Sequence, residues 1–207
     1  MLKELFARYP ALAGCEAEIT AVRDMMLDTY YAGGKILVCG NGGSAADCDH
    51  IAGELLKGFL ARRPMDEDTE GAFRETLGEE AEPFIRKLQG GIPVISLPAQ
   101  AAALTAFAND VDAEFIYAQL VLAYAAPGDM LLCLSTSGNS KNVVRAAQCA
   151  NALGIATAAL TGVKESKLSA LCGVTVRVPE TETYKVQELH LPVYHYLCAA
   201  VEKAVFG

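Results

Sequence analysis

No apolar run in this 207-residue sequence is long enough to cross a bilayer. The richest run, FIYAQLVLAYAA, is short and is interrupted by Gln119. The first ten residues, MLKELFARYP, mix acidic and basic side chains and contain no long apolar stretch, which is not the pattern of a secretory signal. We therefore expect a protein without a membrane partner.

Basic residues are also scarce. The chain has 17 Lys and Arg against 25 Asp and Glu, a formal net charge of −8 at pH 7. Nucleic-acid-binding proteins need a basic surface to neutralise backbone phosphates. The charge balance thus argues against a nucleic-acid partner, although it leaves room for a local site for a small anion.

The seven cysteines include no CxxC pair. Their number is odd and several lie in apolar surroundings, as in ILVCG, LLCLS and YLCAA. This pattern is typical of reduced core thiols in a cytoplasmic protein, and the spacing does not indicate a zinc–thiolate site.

Five short apolar runs alternate with segments of helical length. They are KILVCG, IPVISL, MLLCLS, ATAALTG and VTVRVP. Runs that are apolar throughout suit strands buried on both faces of a parallel sheet. The sequence therefore predicts a three-layer α/β/α fold with a five-stranded parallel sheet. An amphipathic helix with Ile19, Val22, Met26 and Tyr30 on one face precedes the sheet and ends at Gly33-Gly34.

An acidic segment, residues 61–90, interrupts this alternation. We predict a single domain, residues 1–207, with an insertion at about 60–91 that forms a solvated, partly helical excursion. A lid or an oligomer contact is the alternative interpretation.

Two loops follow predicted strands, where parallel sheets bind ligands. The first, Gly40-Asn41-Gly42-Gly43-Ser44, follows KILVC. The second contains four hydroxyl side chains, Ser135, Thr136, Ser137 and Ser140, directly before a predicted helix. Hydroxyls and free backbone N–H groups at a helix start can bind a phosphate, although such clusters often serve only as helix caps.

The first loop also fits a loose dinucleotide fingerprint. That interpretation requires an acidic residue near the end of the second strand to hold the ribose. Here the second strand ends IPVISLPAQ, without an acid. We therefore expect no nucleotide cofactor.

His50 and Glu54 lie one turn apart on the helix after the first loop, where they can share a metal or place a base beside a polar group. The other two histidines, His190 and His195, lie in YKVQELHLPVYHYLC, so a single polar site is plausible. Buried core histidines are the alternative.

Taken together, GNGGSAADCDHIAGEL, FANDVDAEF, LSTSGNSKNV, LTGVKESKL and VPETETYKVQELHLPVYHYLC resemble the sugar isomerase (SIS) domain family, and most closely its phosphoheptose isomerase group. The resemblance implies a flavodoxin-like α/β/α fold and an aldose–ketose isomerisation of sedoheptulose 7-phosphate to D-glycero-D-manno-heptose 7-phosphate through an enediol. It also implies a homotetramer with active sites between subunits.

The resemblance assigns a role to individual positions. Glu54 is the expected base and His195 the expected acid. The implied zinc ligands are His50, Glu54, Gln187 and His195. The implied substrate contacts are Asn41, Gly42, Gly43, Ser44, Asn109, Asp110, Ser135, Thr136, Ser137, Ser140 and Gln187.

One departure from the family and one geometric constraint bear on these assignments. The family commonly has Gly-Arg a few residues after the motif glutamate, whereas Lys57-Gly58 stands here. Gln187 and His195 are eight positions apart, about 12 Å along an ideal helix, so their side chains must lean together to share a metal. The alternative function is a non-catalytic SIS module that binds a sugar phosphate or a protein such as a replication-initiation factor.

Overall fold

The computed structural model describes residues 1–207 and contains one five-stranded parallel sheet. The strands are Ile36–Gly40 (β1), Val94–Ser96 (β2), Met130–Leu134 (β3), Ala156–Gly162 (β4) and Val174–Val178 (β5). Their order is β2-β1-β3-β4-β5, the flavodoxin-like arrangement. The five predicted strands and the predicted fold class are confirmed.

Ten α-helices surround the sheet. They are Leu2–Arg8 (α1), Glu16–Tyr31 (α2), Gly43–Leu56 (α3), Glu67–Leu77 (α4), Glu82–Lys87 (α5), Ala101–Phe107 (α6), Ile116–Tyr124 (α7), Lys141–Ala152 (α8), Lys167–Leu171 (α9) and Thr183–Phe206 (α10). The predicted N-terminal amphipathic helix is α2, in which Ile19, Val22 and Met26 are fully buried. None of these helices combines the length and the apolar character that spanning a membrane requires.

The sheet separates two apolar cores. Because successive side chains of a strand point to opposite faces, Ile36 and Val38 of β1 join one core while Leu37 and Cys39 join the other. Helices α2, α3 and α10 cover the first core, and α7 and α8 cover the second. The structure is therefore the predicted α/β/α sandwich.

The central strands β1 and β3 pair in register, with Gly40 opposite Leu134. The chain leaves β1 into α3 on one face of the sheet and leaves β3 into α8 on the other face. This is a topological switch point, where loops diverge and open a crevice for a ligand. Both loops selected from the sequence lie there.

The 61–90 segment forms α4 and α5, neither of which contains a buried residue. The prediction of a solvated, partly helical excursion describes these two helices. Arg63 at the start of the segment departs from it, because its side chain is completely buried against α3 and α10.

Candidate active site

The glycine loop brings α3 close to α10. Gly42 has a φ of 56°, in the left-handed region that favours glycine. At Gly43 a β-carbon would collide with the side-chain amide of Gln187 on α10. Glycine at these two positions therefore allows both the turn and the close approach of Gln187 to the start of α3.

The hydroxyl loop after β3 is held in place by its backbone. The Gly162 N–H donates to the Thr136 carbonyl at 3.0 Å, and the Gly138 N–H donates to the Ser135 carbonyl at 3.0 Å. The hydroxyls of Ser135 and Ser140 lie 3.1 Å apart. The Ser140 hydroxyl bonds to Ser135 and caps no backbone N–H of α8, so it lies beside the positive end of that helix without being used as its cap.

The two loops are joined directly. The side-chain amides of Asn41, in the glycine loop, and Asn142, in the first turn of α8, donate to each other at 2.8 and 2.9 Å. This reciprocal pair fixes the distance between the loops. Ser44 is buried within the glycine loop and Ser137 is exposed, where it accepts from the Asn139 N–H.

Asn109 and Asp110 lie in a π-helical turn between α6 and α7. The Asn109 amide donates to the Asp110 carboxylate at 2.8 Å, and both side chains are exposed. No hydrogen bond joins either side chain to the two loops. The structure therefore leaves both free to meet a ligand but does not attach them to the rest of the site.

An imidazole–carboxylate cluster forms where α3 packs against α10. His50 Nε2 lies 3.2 Å from Glu54 Oε1 and 3.5 Å from His195 Nε2. The other Glu54 oxygen accepts from Lys57 Nζ at 2.9 Å, so the lysine that replaces the family's glycine contacts the predicted base. Glu54 and His195, 141 positions apart in the sequence, therefore both lie close to one nitrogen atom.

Burial lowers the pKa of His195 below its ordinary value, and the neighbouring His50 lowers it further while Glu54 acts in the opposite direction. His195 also lines a depression of about 320 Å³, together with Arg8, Tyr9, Phe59 and Leu191 among others. The imidazole is thus accessible to a bound molecule and inclined to be neutral.

A zinc ion requires donor atoms at a particular spacing. Two donors that each lie about 2.1 Å from a tetrahedral ion are roughly 3.4 Å apart. The spacings around His50 Nε2 agree with this value, and two imidazoles with a carboxylate are suitable donors. As they stand, however, no three His, Cys, Asp or Glu side chains are gathered around one point in a metal-binding arrangement.

The fourth predicted ligand, Gln187, lies elsewhere. Its amide rests against Gly43, about 10 Å along α3 from His50. Helix α10 runs unbroken through Pro192, so the separation of eight positions between Gln187 and His195 keeps their side chains apart. Within this chain, Gln187 is positioned beside the glycine loop, where it can contact a substrate.

His50 is held in place by two side chains that the sequence did not indicate. The Tyr194 hydroxyl lies 3.0 Å from His50 Nδ1 and donates to Asp47 Oδ1 at 3.1 Å. Burial raises the pKa of Asp47, while the Tyr194 hydrogen bond and His50 act against it. Asp47 precedes His50 by three positions on one helix face, a signal that could have been used, whereas Tyr194 required the packing of α10 on α3.

A second cluster that the sequence did not indicate holds the backbone at Glu54. Arg63 donates to the Glu54 carbonyl at 3.0 Å, to the Leu55 carbonyl at 2.5 Å and to the Glu202 carboxylate at 2.8 Å. Glu202 also accepts three backbone N–H groups, from Phe59, Leu60 and Ala61. This cluster fixes the end of α3 and hence the position of Glu54.

His190 is completely buried, and neither ring nitrogen has a hydrogen-bond partner. Burial lowers its pKa to about 4. It does not join the His50 cluster.

Known proteins resemble this chain in sequence and in fold. A family model described as the SIS domain matches residues 10–82 and 81–162. A phosphoheptose isomerase of Trichlorobacter lovleyi is 35% identical over 93% of this chain and 87% of that protein.

Two solved structures have the same fold over nearly the whole chain. One, phosphoheptose isomerase GmhA of Neisseria gonorrhoeae, has a TM-score of 0.73 and 28% identity, covering 98% of this chain and all of that one. The other, a phosphoheptose isomerase of Francisella tularensis, has a TM-score of 0.77 and 26% identity, covering 95% and 91%. The chain belongs to the SIS domain family, and within it to the phosphoheptose isomerase group.

Proposed function

We propose that this chain is an aldose–ketose isomerase that interconverts sedoheptulose 7-phosphate and D-glycero-D-manno-heptose 7-phosphate. The observation that carries the proposal is the approach of Glu54 and His195 to the same atom, His50 Nε2, in a chain whose relatives bear the name phosphoheptose isomerase. Isomerisation moves a carbonyl between C2 and C1 without net oxidation, so a proton-transfer site of this kind is sufficient.

Separate groups of residues bind the phosphate and the sugar. The hydroxyls of Ser135, Thr136, Ser137 and Ser140, with the start of α8, bind the phosphate. Asn41, Gly42, Gly43, Ser44 and Gln187 line the approach to the sugar, and Asn109 and Asp110 contact its hydroxyls. This anchoring leaves the C1–C2 end of the sugar to the His50 cluster.

Glu54 acts as the base. It takes a proton from C1 of the ketose and returns it to C2, while the oxygen at C2 gains a proton and the hydroxyl at C1 loses one. His195 moves those oxygen protons, and its lowered pKa suits a group that must be neutral in part of the cycle. General acid–base catalysis of this type contributes about 10²–10⁴ in rate for each group.

Zinc is the proposed cofactor. His50, Glu54 and His195 would hold it, whereas Gln187 of the same chain lies beside Gly43, away from these three side chains. When bound, zinc would polarise the substrate carbonyl. The two donor spacings around His50 Nε2 support this assignment.

We further propose a cytoplasmic homotetramer. Reduced thiols support the compartment, since all seven cysteines are free. Exposed apolar side chains on separate elements, among them Leu60, Val111 and Leu122, support association with further copies. Light scattering of the purified protein tests the oligomeric state.

The decisive experiment is an assay of the purified chain on sedoheptulose 7-phosphate, with and without added zinc, following formation of the aldose. We expect turnover, and we expect Glu54→Gln to lose about 10²–10⁴ in kcat. Glu70→Gln is the matched control, because it removes a carboxylate from an i,i+4 ion pair with Arg74 on the exposed helix α4. Binding of the sugar phosphate without turnover would instead favour a non-catalytic SIS module.

A further inference from the structure

We propose that Asp47 and Tyr194 are positioning residues that fix the tautomer of His50. In this arrangement the Asp47 carboxylate accepts from the Tyr194 hydroxyl, and the hydroxyl oxygen accepts from the Nδ1–H of His50. The Nε2 atom of His50 is then left with a lone pair directed at Glu54 and His195. The inference rests on the proposed function only in taking this cluster as the reacting end of the site.

The Tyr194 hydroxyl has a single proton and two polar neighbours. The Tyr194 hydroxyl lies 3.1 Å from Asp47 Oδ1 and 3.0 Å from His50 Nδ1. A hydroxyl has one proton to donate, and a carboxylate can only accept. The proton therefore goes to Asp47, so the contact with His50 requires that Nδ1 be the donor.

The surroundings make this arrangement rigid. The Tyr194 ring is only 1% exposed and packs edge-on against His50, with ring centroids 5.5 Å apart. Asp47 is held on the same helix as His50, and its second oxygen is buried without a partner. Since phenylalanine would fill the same space without a buried hydroxyl, packing alone does not explain the tyrosine.

The consequence appears at the other ring nitrogen. With Nδ1 protonated in neutral His50, Nε2 presents a lone pair 3.2 Å from a Glu54 carboxylate oxygen and 3.5 Å from His195 Nε2. A lone pair and a carboxylate repel each other unless a proton or a metal cation lies between them. The chain Asp47–Tyr194–His50 therefore prepares Nε2 to bind a cation, as outer hydrogen bonds do for metal-binding histidines.

The tautomer can be measured directly, because the chain has only three histidines. Nitrogen NMR of the metal-free protein labelled with ¹⁵N-histidine, at a pH where the rings are neutral, reports which nitrogen carries the proton. We expect His50 to be protonated at Nδ1 in the wild type and to become a mixture in Tyr194→Phe. Tyr124→Phe is the control, since it removes a tyrosine hydroxyl bonded to Gln100 and should leave the His50 signals unchanged.

Zinc affinity is the second readout. Loss of an outer-shell partner typically weakens metal binding 10- to 100-fold, so we expect that loss in Tyr194→Phe and none in Tyr124→Phe. Protonation of His50 at Nε2 in the wild type, or unchanged zinc affinity in Tyr194→Phe, would overturn the proposal. A protein with the expected tautomer and zinc affinity but no turnover of sedoheptulose 7-phosphate would refute the proposed function and leave this inference standing.

Discussion

Two polar clusters lie along the same pair of helices, α3 and α10, and they differ in how completely they are bonded. The Arg63–Glu202 cluster is closed, because Glu202 accepts four N–H groups and Arg63 reaches two helix carbonyls as well as the carboxylate. The His50 cluster is open: Asp47 has an unpartnered buried oxygen, and His50 and His195 meet only at 3.5 Å.

This difference distinguishes a structural cluster from a candidate functional one. Buried polar groups cost stability unless they are bonded, so a complete set of partners is typical of a structural element. An incomplete set at a crevice is typical of a site that a ligand completes. Glu54 belongs to both clusters, since its backbone carbonyl accepts from Arg63 while its carboxylate faces His50.

The largest expected effect comes from breaking the closed cluster. Glu202→Gln leaves the Arg63 guanidinium buried without a counter-charge, which should lower the free energy of unfolding by about 3–5 kcal/mol. Chemical denaturation of the wild type and the variant measures this loss. Adding Arg63→Met to Glu202→Gln should recover part of it, because no buried charge then remains. A double variant whose losses simply add would show that the two side chains are not coupled.

Low pH should also weaken the stabilisation that the closed cluster provides. Burial acts to raise the pKa of Glu202, but the N–H groups of Phe59 and Leu60 and the Arg63 side chain outweigh it and hold the pKa below its ordinary value. The carboxylate therefore contributes stability above the ordinary glutamate pKa, and this contribution is lost as the pH falls through the lowered value.

A smaller effect is expected at His190, a buried group without partners. Its pKa of about 4 lies below the unfolded value near 6.5, so between these values the unfolded chain binds a proton that the folded chain does not. Stability should fall as the pH falls through this window. His190→Leu should reduce the loss of unfolding free energy between pH 7 and pH 4.5 by about 2 kcal/mol relative to the wild type. An equal loss in both proteins would mean that His190 is solvated or paired.

The smallest effect is expected where the open site anchors its ligand. Ser140→Ala removes one hydroxyl from the loop while Ser135 remains, so the KM for the sugar phosphate should rise about tenfold. Because the phosphate does not react, kcat should change little. Steady-state kinetics separates the two constants, and a fall in kcat with an unchanged KM would contradict a purely anchoring role.

Much of the site could be predicted from local patterns. The hydroxyl loop follows a strand and precedes a helix, and Gly138 supplies the left-handed backbone conformation of its turn. His50 and Glu54 are one turn apart, so helix geometry alone places them on one face. The bonds of Arg63 to Glu202 and of Asp47 to Tyr194 span 139 and 147 positions, and no local pattern indicates them.

Local spacing was enough to predict the five buried strands, the two loops at the switch point and the His50–Glu54 pair, because each depends on one strand, turn or helix. The packing of the folded chain was needed to show that His195 joins that pair, that Gln187 lies beside Gly43 and that His190 is buried apart from both. Helical spacing fixes distances along α10, but the rotation and register of α10 against α3 result from how their apolar side chains pack in the shared core.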